Sequence, residues 1–370
     1  MKTLRSTLCI ATAVVGALFV WHNASACSSA IISAKLSKEG APILWKHRDQ
    51  KYYLTPVKFV HVQGDPYGFT ALMGEQGTTI YAGINEAGFG VMTTATKNLP
   101  YDENDKSRTG YKRSTNHYAL GNCRTVDDFE ELLRTRRRTK RQRSNYGVGD
   151  ATGAVAYFEV WHDGYRRYDV HTTERGYDVH TNFSFAGDDS KRGASERRYD
   201  TVMKQLEGRT NITTLDMLEL SRSFFSAAKG EILDDDKTYL DQNWCVPRRQ
   251  SVASIALVCD KENPRMDIIL GNPIAGIAVP VWVKNGHHIP NCLTSPESME
   301  LGKRYTQKAY VRSGKRGWAL NKPLVREVLN AQTRVKIPAR PPKNIARFNA
   351  KIDNTFDRHC AKIDKILQRY

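Results

Sequence analysis

Ala24-Ser25-Ala26-Cys27-Ser28-Ser29 is where the chain changes character. Before it, Lys2 and Arg5 form a short basic start and Leu8 to Trp21 a mostly apolar run. Ala24-x-Ala26 is a small-residue cleavage site, so residues 1–26 read as a secretory signal peptide. Cleavage after Ala26 leaves Cys27 as the first residue, with a thiol and a free α-amine together. An α-amine titrates near ~7.7–8, so part of it is unprotonated at neutral pH and can take the thiol proton. Nucleophile and base then sit on one residue. Two other readings stand beside this one. Cys27 could be an ordinary cysteine near a processed end, or the acylated cysteine of a lipoprotein, a class that prefers Leu where Ala24 stands.

Working outward, Cys27-Ser-Ser-Ala-Ile-Ile-Ser-Ala34 is a short β-prone run. Leu36 to Pro42 carries Ser, Lys, Glu, Gly and Pro and reads as a turn. Ile43-Leu44-Trp45-Lys46-His47-Arg48-Asp49 is a second strand, which predicts an amino-terminal hairpin. In a hairpin the end of the second strand returns beside the start of the first, so Arg48 and Asp49 are expected close to Cys27. A carboxylate there can hold the α-amine. A guanidinium there can favour the thiolate or bind a negative substrate group.

These residues resemble the amino-terminal nucleophile (Ntn) hydrolases of the choloylglycine hydrolase, penicillin V acylase and isopenicillin N acyltransferase-like group. In that group a mature amino-terminal Cys is followed, one hairpin later, by an Arg and an Asp. The group's Arg-Asn-x-Asp frame puts Lys46 at the Arg position here, with Arg48 directly before Asp49, so either cation can carry the role. Gly83-Ile84-Asn85-Glu86-Ala87-Gly88-Phe89 is similar to the group's Gly-x-Asn-Glu-x-Gly-Leu element, read here as a hairpin turn. The Asn that follows this element in bile-salt-type members falls on Ala95, with Asn98 the nearest amide. Asp150-Ala151-Thr152-Gly153 and the strand carrying Glu159 resemble a further element. Val179-His180-Thr181-Asn182-Phe183 matches the Thr-Asn element, whose Asn amide donates to the tetrahedral oxyanion. Ser195-Glu196-Arg197-Arg198-Tyr199 resembles Ser-x-x-Arg-[Tyr/Phe], whose Arg lies near the nucleophile; Arg198 is the match.

The rest of the chain reads as strands at Val57–Val62, Phe69–Met73, Thr78–Ile84, Phe89–Ala95, Tyr165–Val170, Ser251–Asp260, Met266–Gly271 and Ile277–Val283. Residues 100–117 are polar and predict a loop at the substrate mouth. Val126 to Arg138 predicts a helix capped by Thr125, and Leu215 to Ala228 another. The dense run Arg134 to Arg143 is expected to be a solvated helix end, and Asp234-Asp235-Asp236 a solvated loop. The composition changes after residue 298. Leu324–Gln332 predicts a short helix. Ile345, Phe348, Ile352, Phe356, Ile363 and Ile366 then recur at helical spacing, expected to pack on the parent domain, with dimerisation as another outcome.

The 370 residues carry a net charge of +17, and +15 once Lys2 and Arg5 are removed. That excess reads either as a solubility device or as attraction for an anionic substrate. No aromatic interleaving accompanies the basic runs, so nucleic acid is not expected as a partner. No second apolar run is long enough for a membrane span. Of seven cysteines, Cys9 lies in the signal; with Cys27 reserved for chemistry, five remain, allowing at most two disulfides. No Cys/His spacing suggests a metal site, and no cofactor is required.

The resemblance spans about residues 27–290. It implies an α+β four-layer αββα sandwich, residues 27–298, after which the change in composition sets off a basic helical extension, residues 299–370. It further implies an exported, periplasmic or secreted, enzyme that hydrolyses or transfers the acyl group of small linear amides. Cys27, Arg48, Asp49, Asn182 and Arg198 would carry the chemistry. The competing readings are a non-enzymatic exported binding protein or lipoprotein on a degenerate version of the fold, and a peptidase.

Overall fold

The computed structural model describes residues 26–50, 57–74, 79–232, 245–286, 288–313 and 317–368. The stretch up to Ser25, expected as a signal, and the Asp234–Asp236 run lie outside them. The first sheet holds β1 (Cys27–Ile32) and β2 (Ile43–Asp49). The second is a meander of β3 (Val57–Val60), β4 (Phe69–Met73), β5 (Ile80–Asn85), β6 (Gly90–Thr94), β7 (Ser144–Gly149), β8 (Val155–Val160) and β9 (Tyr165–Asp169). Its strands follow one another in sequence order. The chain then returns to the first sheet with β10 (Tyr177–His180), beside β1. After a short hairpin, β11 (Phe225–Ser226) and β12 (Glu231–Ile232), it adds β13 (Ser251–Val258), β14 (Arg265–Leu270) and β15 (Ala278–Trp282). The order is β10-β1-β2-β13-β14-β15, antiparallel throughout.

Alternation along each strand sorts the core into layers. Ile31, Leu44, Ile255 and Ile268 of the first sheet meet Leu72, Ile84, Met92 and Tyr157 of the second. The outer face of the meander packs Phe69, Val91 and Phe158 against α1 (Thr115–Asn122) and α2 (Val126–Thr135) through Leu120, Phe129 and Leu133. The outer face of the first sheet packs Ile32, Trp45 and Ala256 against α3 (Ala194–Leu206) and α4 (Thr214–Leu220) through Val202, Leu206 and Leu218. This is the four-layer αββα sandwich. Each of the larger apolar side chains, fully buried, contributes about 1.5–3 kcal/mol.

Local chemistry sets the element ends. Thr125 and Asp128 form a capping box on α2, and Asp150 Oδ2 accepts from Val126 N at 2.7 Å. The turn between β5 and β6 needs Gly88: its φ is +82°, and a Cβ there would lie 2.5 Å from the Asp260 carbonyl. The polar 100–117 stretch is not all loop, because α1 starts at Thr115. Residues 126–138 are helical only to Thr135, and α4 stops at Leu220 rather than Ala228. The basic run is not simply solvated: Arg136, Arg138 and Arg143 donate to the carbonyls of Arg113, Trp161 and Leu99.

The 298/299 boundary falls inside α5 (Pro296–Lys308). A hairpin, β16 (Tyr310–Ser313) and β17 (Gly317–Leu320), then precedes α6 (Lys322–Gln332) and α7 (Ile345–Leu367). Tyr305, Leu324, Val328 and Ile363 share a cluster with Phe224, Cys245 and Ile274, and Phe348 packs edge-on to Trp282. Gln332 closes the open edge of the first sheet: its Oε1 accepts from Ala278 N at 2.6 Å, and its Nε2 donates to Ala278 O at 3.3 Å. No described helix is long and apolar enough to cross a membrane. The six described cysteines are buried.

Candidate active site

Cys27 opens β1 and pairs with Arg48 of β2, and the ladder runs one step further, with Asp49 N donating to Ala26 O at 2.9 Å. Directly paired residues share a face. Cys27, Ser29, Lys46 and Arg48 therefore point toward the meander, while Ser28, His47 and Asp49 point toward the helices. Lys46 is 1% exposed. Its Nζ hydrogen-bonds the Cys27 side chain and donates to Thr93 O at 2.6 Å. Burial pushes its ammonium below the usual lysine range; the adjoining Cys27 works against that shift and Arg48 adds to it. Arg48 lays its guanidinium over Tyr81, 3.5 Å from the ring centre. Of the two cations left open by the sequence, Lys46 is the one bonded to the thiol.

On the helix side, Asp49 Oδ1 accepts from Ser251 Oγ at 2.7 Å and lies 2.9 Å from His47 Nε2. Arg248 Nε stands 3.5 Å from Oδ2. Burial alone would raise this carboxyl, but His47, Arg248 and Arg198 together hold it below its ordinary value. Ser251 reaches Asp49 because β13 pairs with β2 with Ser251 opposite Asp49.

Asn182 and Arg198 complete the cage. The backbone nitrogen of Cys27 donates to Asn182 Oδ1 at 2.8 Å. Arg198 Nη2 donates to the same oxygen at 2.9 Å, and its Nη1 reaches Cys27 O at 2.5 Å and Ser28 Oγ at 3.0 Å. Burial, with Arg248 nearby, pushes the Arg198 guanidinium down to about 9. Asn182 Nδ2 donates to Ala95 O at 2.7 Å. So Asn182 faces Cys27 N with its oxygen, and one amide hydrogen goes to Ala95, not the orientation that the oxyanion role alone implied. Asn98 is committed elsewhere: its Nδ2 donates to Ser184 O, and its Oδ1 accepts from Thr96 and Ser184.

The loop carrying Asn182 is braced from below. Glu159, fully buried, lies 2.9 Å from His180 Nε2 and accepts from Phe185 N at 2.6 Å and Ala186 N at 2.8 Å. Burial would raise its carboxyl; the bond to His180 and these backbone donors hold it below its ordinary value. Next to the site, Lys97, Tyr101, Arg143, Asp188 and Lys191 line an open cleft of about 460 Å³. Lys97 N donates to Asn182 O, and Arg198 and Arg248 help depress the Lys97 ammonium, after partial burial.

The structure thus gathers Cys27, Asp49, Asn182 and Arg198 and sets Arg48 on the ring beside them. Sequence reasoning missed Arg248, His47, Ser251 and Lys97. The Arg248-Arg249 pair just before a strand was the one signal available, and only long-range pairing gives it a partner. Among the described residues no group of three or more His, Cys, Asp or Glu is placed to hold a metal ion.

No family model matches the chain, and no curated protein matches it. Solved structures do. A mutant of conjugated bile acid hydrolase from Clostridium perfringens is 10% identical, over 70% of this chain and 93% of that one, with a TM-score of 0.41. A Caenorhabditis elegans N-acylethanolamine-hydrolyzing acid amidase ortholog is 18% identical, over 62% and 92%, with a TM-score of 0.42. Penicillin V acylase from Agrobacterium tumefaciens is 12% identical, over 69% and 86%, also with a TM-score of 0.42.

Proposed function

We propose that the chain is an exported cysteine amide hydrolase whose nucleophile appears when a signal is cut after Ala26. One observation carries this reading: the nitrogen that would become the α-amine is held at 2.8 Å by Asn182 Oδ1, beside a thiol bonded to a buried lysine. A buried cage of two arginines, a lysine and a carboxylate around an amino-terminal thiol has little purpose for packing. It suits a group that must change charge. Cys27 Sγ adds to a linear amide carbonyl. Asn182 and nearby backbone donors stabilise the oxyanion, Arg198 fixes the strand that bears the nucleophile, and Asp49 anchors the cationic side of the site. The C–N bond breaks with a proton delivered to the departing amine, and the thioester is released to water or passed to an acceptor amine.

The cleft lined by Lys97, Arg143 and Lys191 favours a substrate with an anionic group, such as an N-acyl amino acid. The test is intact mass and amino-terminal sequencing of protein from an exporting host, then a screen of acyl amides against Cys27→Ala. A free Cys27 terminus and activity lost in Cys27→Ala are expected. A lipid adduct on Cys27, or full activity in Cys27→Ala, would end the reading.

A further inference from the structure

We infer that Lys46 is the catalytic acid–base of this site: it takes the Cys27 proton and returns it to the departing amine, so that the α-amine is not the obligatory base. The inference rests on the amide-hydrolase reading and goes beyond it. The geometry is specific. Lys46 lies two residue pairs along the ladder from Cys27, on the same face, with Nζ bonded to the thiol. Thr93 O, at 2.6 Å, fixes the direction of Nζ, so a neutral amine there donates one hydrogen to Thr93 and points its lone pair toward Sγ.

The groups that face Nζ are Cys27 and Ser29 from β1, Arg48 from its own strand, Thr93 from β6, and Tyr81 from β5 beneath Arg48, while the Asp49 charge acts from the other face of the sheet. Burial weakens the hold on a proton and Arg48 adds to this, against Cys27 and Asp49, and the net direction is that of a lysine that gives its proton up more readily. The α-nitrogen is engaged differently. It donates to Asn182 Oδ1, and that bond exists with Ala26 still attached.

The steps balance. As the Sγ–C bond forms, the thiol proton passes to Nζ. As the C–N bond breaks, Nζ–H protonates the departing nitrogen, leaving the thioester and a neutral lysine. Nζ then takes a proton from the incoming water, and Sγ leaves as a thiolate that recovers that proton.

Two variants and two substrates test this. A chain that starts at Ala26 turns the Cys27 nitrogen into an amide with no basicity; the structure already accommodates Ala26, through Asp49 N. Lys46→Arg keeps the charge but carries no exchangeable base at neutral pH. The substrates are an acyl amide and the p-nitrophenyl ester of the same acid, whose leaving group needs no proton. If Lys46 is the acid–base, the Ala26 chain keeps amide turnover within about tenfold. Lys46→Arg, in either background, loses about 10²-fold or more on the amide and less on the ester, which spares the leaving-group step but still needs the thiol and water protons moved. Lys46→Met should show the same amide loss, with a native far-UV circular dichroism spectrum reporting that it has folded. Loss of amide turnover in the Ala26 chain, or amide turnover unchanged in Lys46→Arg, overturns the inference. A parent enzyme that cleaves neither substrate would instead overturn the amide-hydrolase reading, and the inference with it.

Discussion

Arg198 holds three groups in register: the Cys27 carbonyl, the Ser28 hydroxyl and the Asn182 side-chain oxygen. Its planar fork makes these contacts from two nitrogens, which a lysine cannot copy. Arg198→Lys is therefore expected to lower amide kcat about 10²-fold with a smaller change in KM, read from steady-state kinetics. Asp49 gives a pH prediction. Its folded carboxyl titrates below the unfolded one. Its contribution to stability is thus full above the ordinary carboxylate pKa of about 3.9 and is lost as pH falls through the lower folded value. Urea midpoints measured from pH 7 down to pH 2 should fall less steeply over that window in Asp49→Asn than in the parent. The other thiols stay out of this chemistry. Burial pushes Cys123 and Cys360 up to about 12, so iodoacetamide at neutral pH should label Cys27 ahead of them.

Among the elements, the β8–β10 brace decides where Asn182 sits. Glu159 satisfies His180 and two backbone nitrogens in a place without water access. Glu159→Ala should cost about 3–5 kcal/mol, since it strands these partners, and a drop in the thermal midpoint together with lost turnover would register it. The amino-terminal hairpin and the opening of the Arg198 helix were legible in the sequence because each is a local pattern, whereas the roles of Asn182 and Arg198 came only from the resemblance. Helix α1 was not, because Thr-Asn-His-Tyr-Ala-Leu-Gly-Asn has mixed polarity and no strong apolar stripe, and it is held by packing on β5 and β6. The Asp49–Ser251 and Asp49–Arg248 contacts join positions about two hundred residues apart, which no window reading reaches. Lys46 against Arg48 was decided by which ring and which carbonyl lie across the sandwich, again facts of the second sheet.

At the scale of the whole molecule, the segment after residue 298 is tied into the sandwich rather than appended to it. Gln332 supplies both a donor and an acceptor to Ala278 at the sheet edge, and Arg265, buried against Asp267, reaches the carbonyls of Pro338 and Ala339. Gln332→Ala should cost about 1–3 kcal/mol by stranding those edge groups, read as a lower urea midpoint. A chain ending before Ile345 would uncover the apolar cluster around Phe224, Cys245 and Ile274 and is expected to aggregate, which light scattering would detect.

The pairing of Ala26 with Asp49 also has a consequence in time. Both ends of the peptide bond that a signal peptidase would cut are engaged in the folded chain, the carbonyl by Asp49 N and the nitrogen by Asn182. A protease needs that bond extended in its own cleft. On the proposed maturation, the cut would therefore have to come while the polypeptide is still unfolded. Under that proposal, a molecule that folded first would hold the bond out of a protease's reach for as long as the native state lasts.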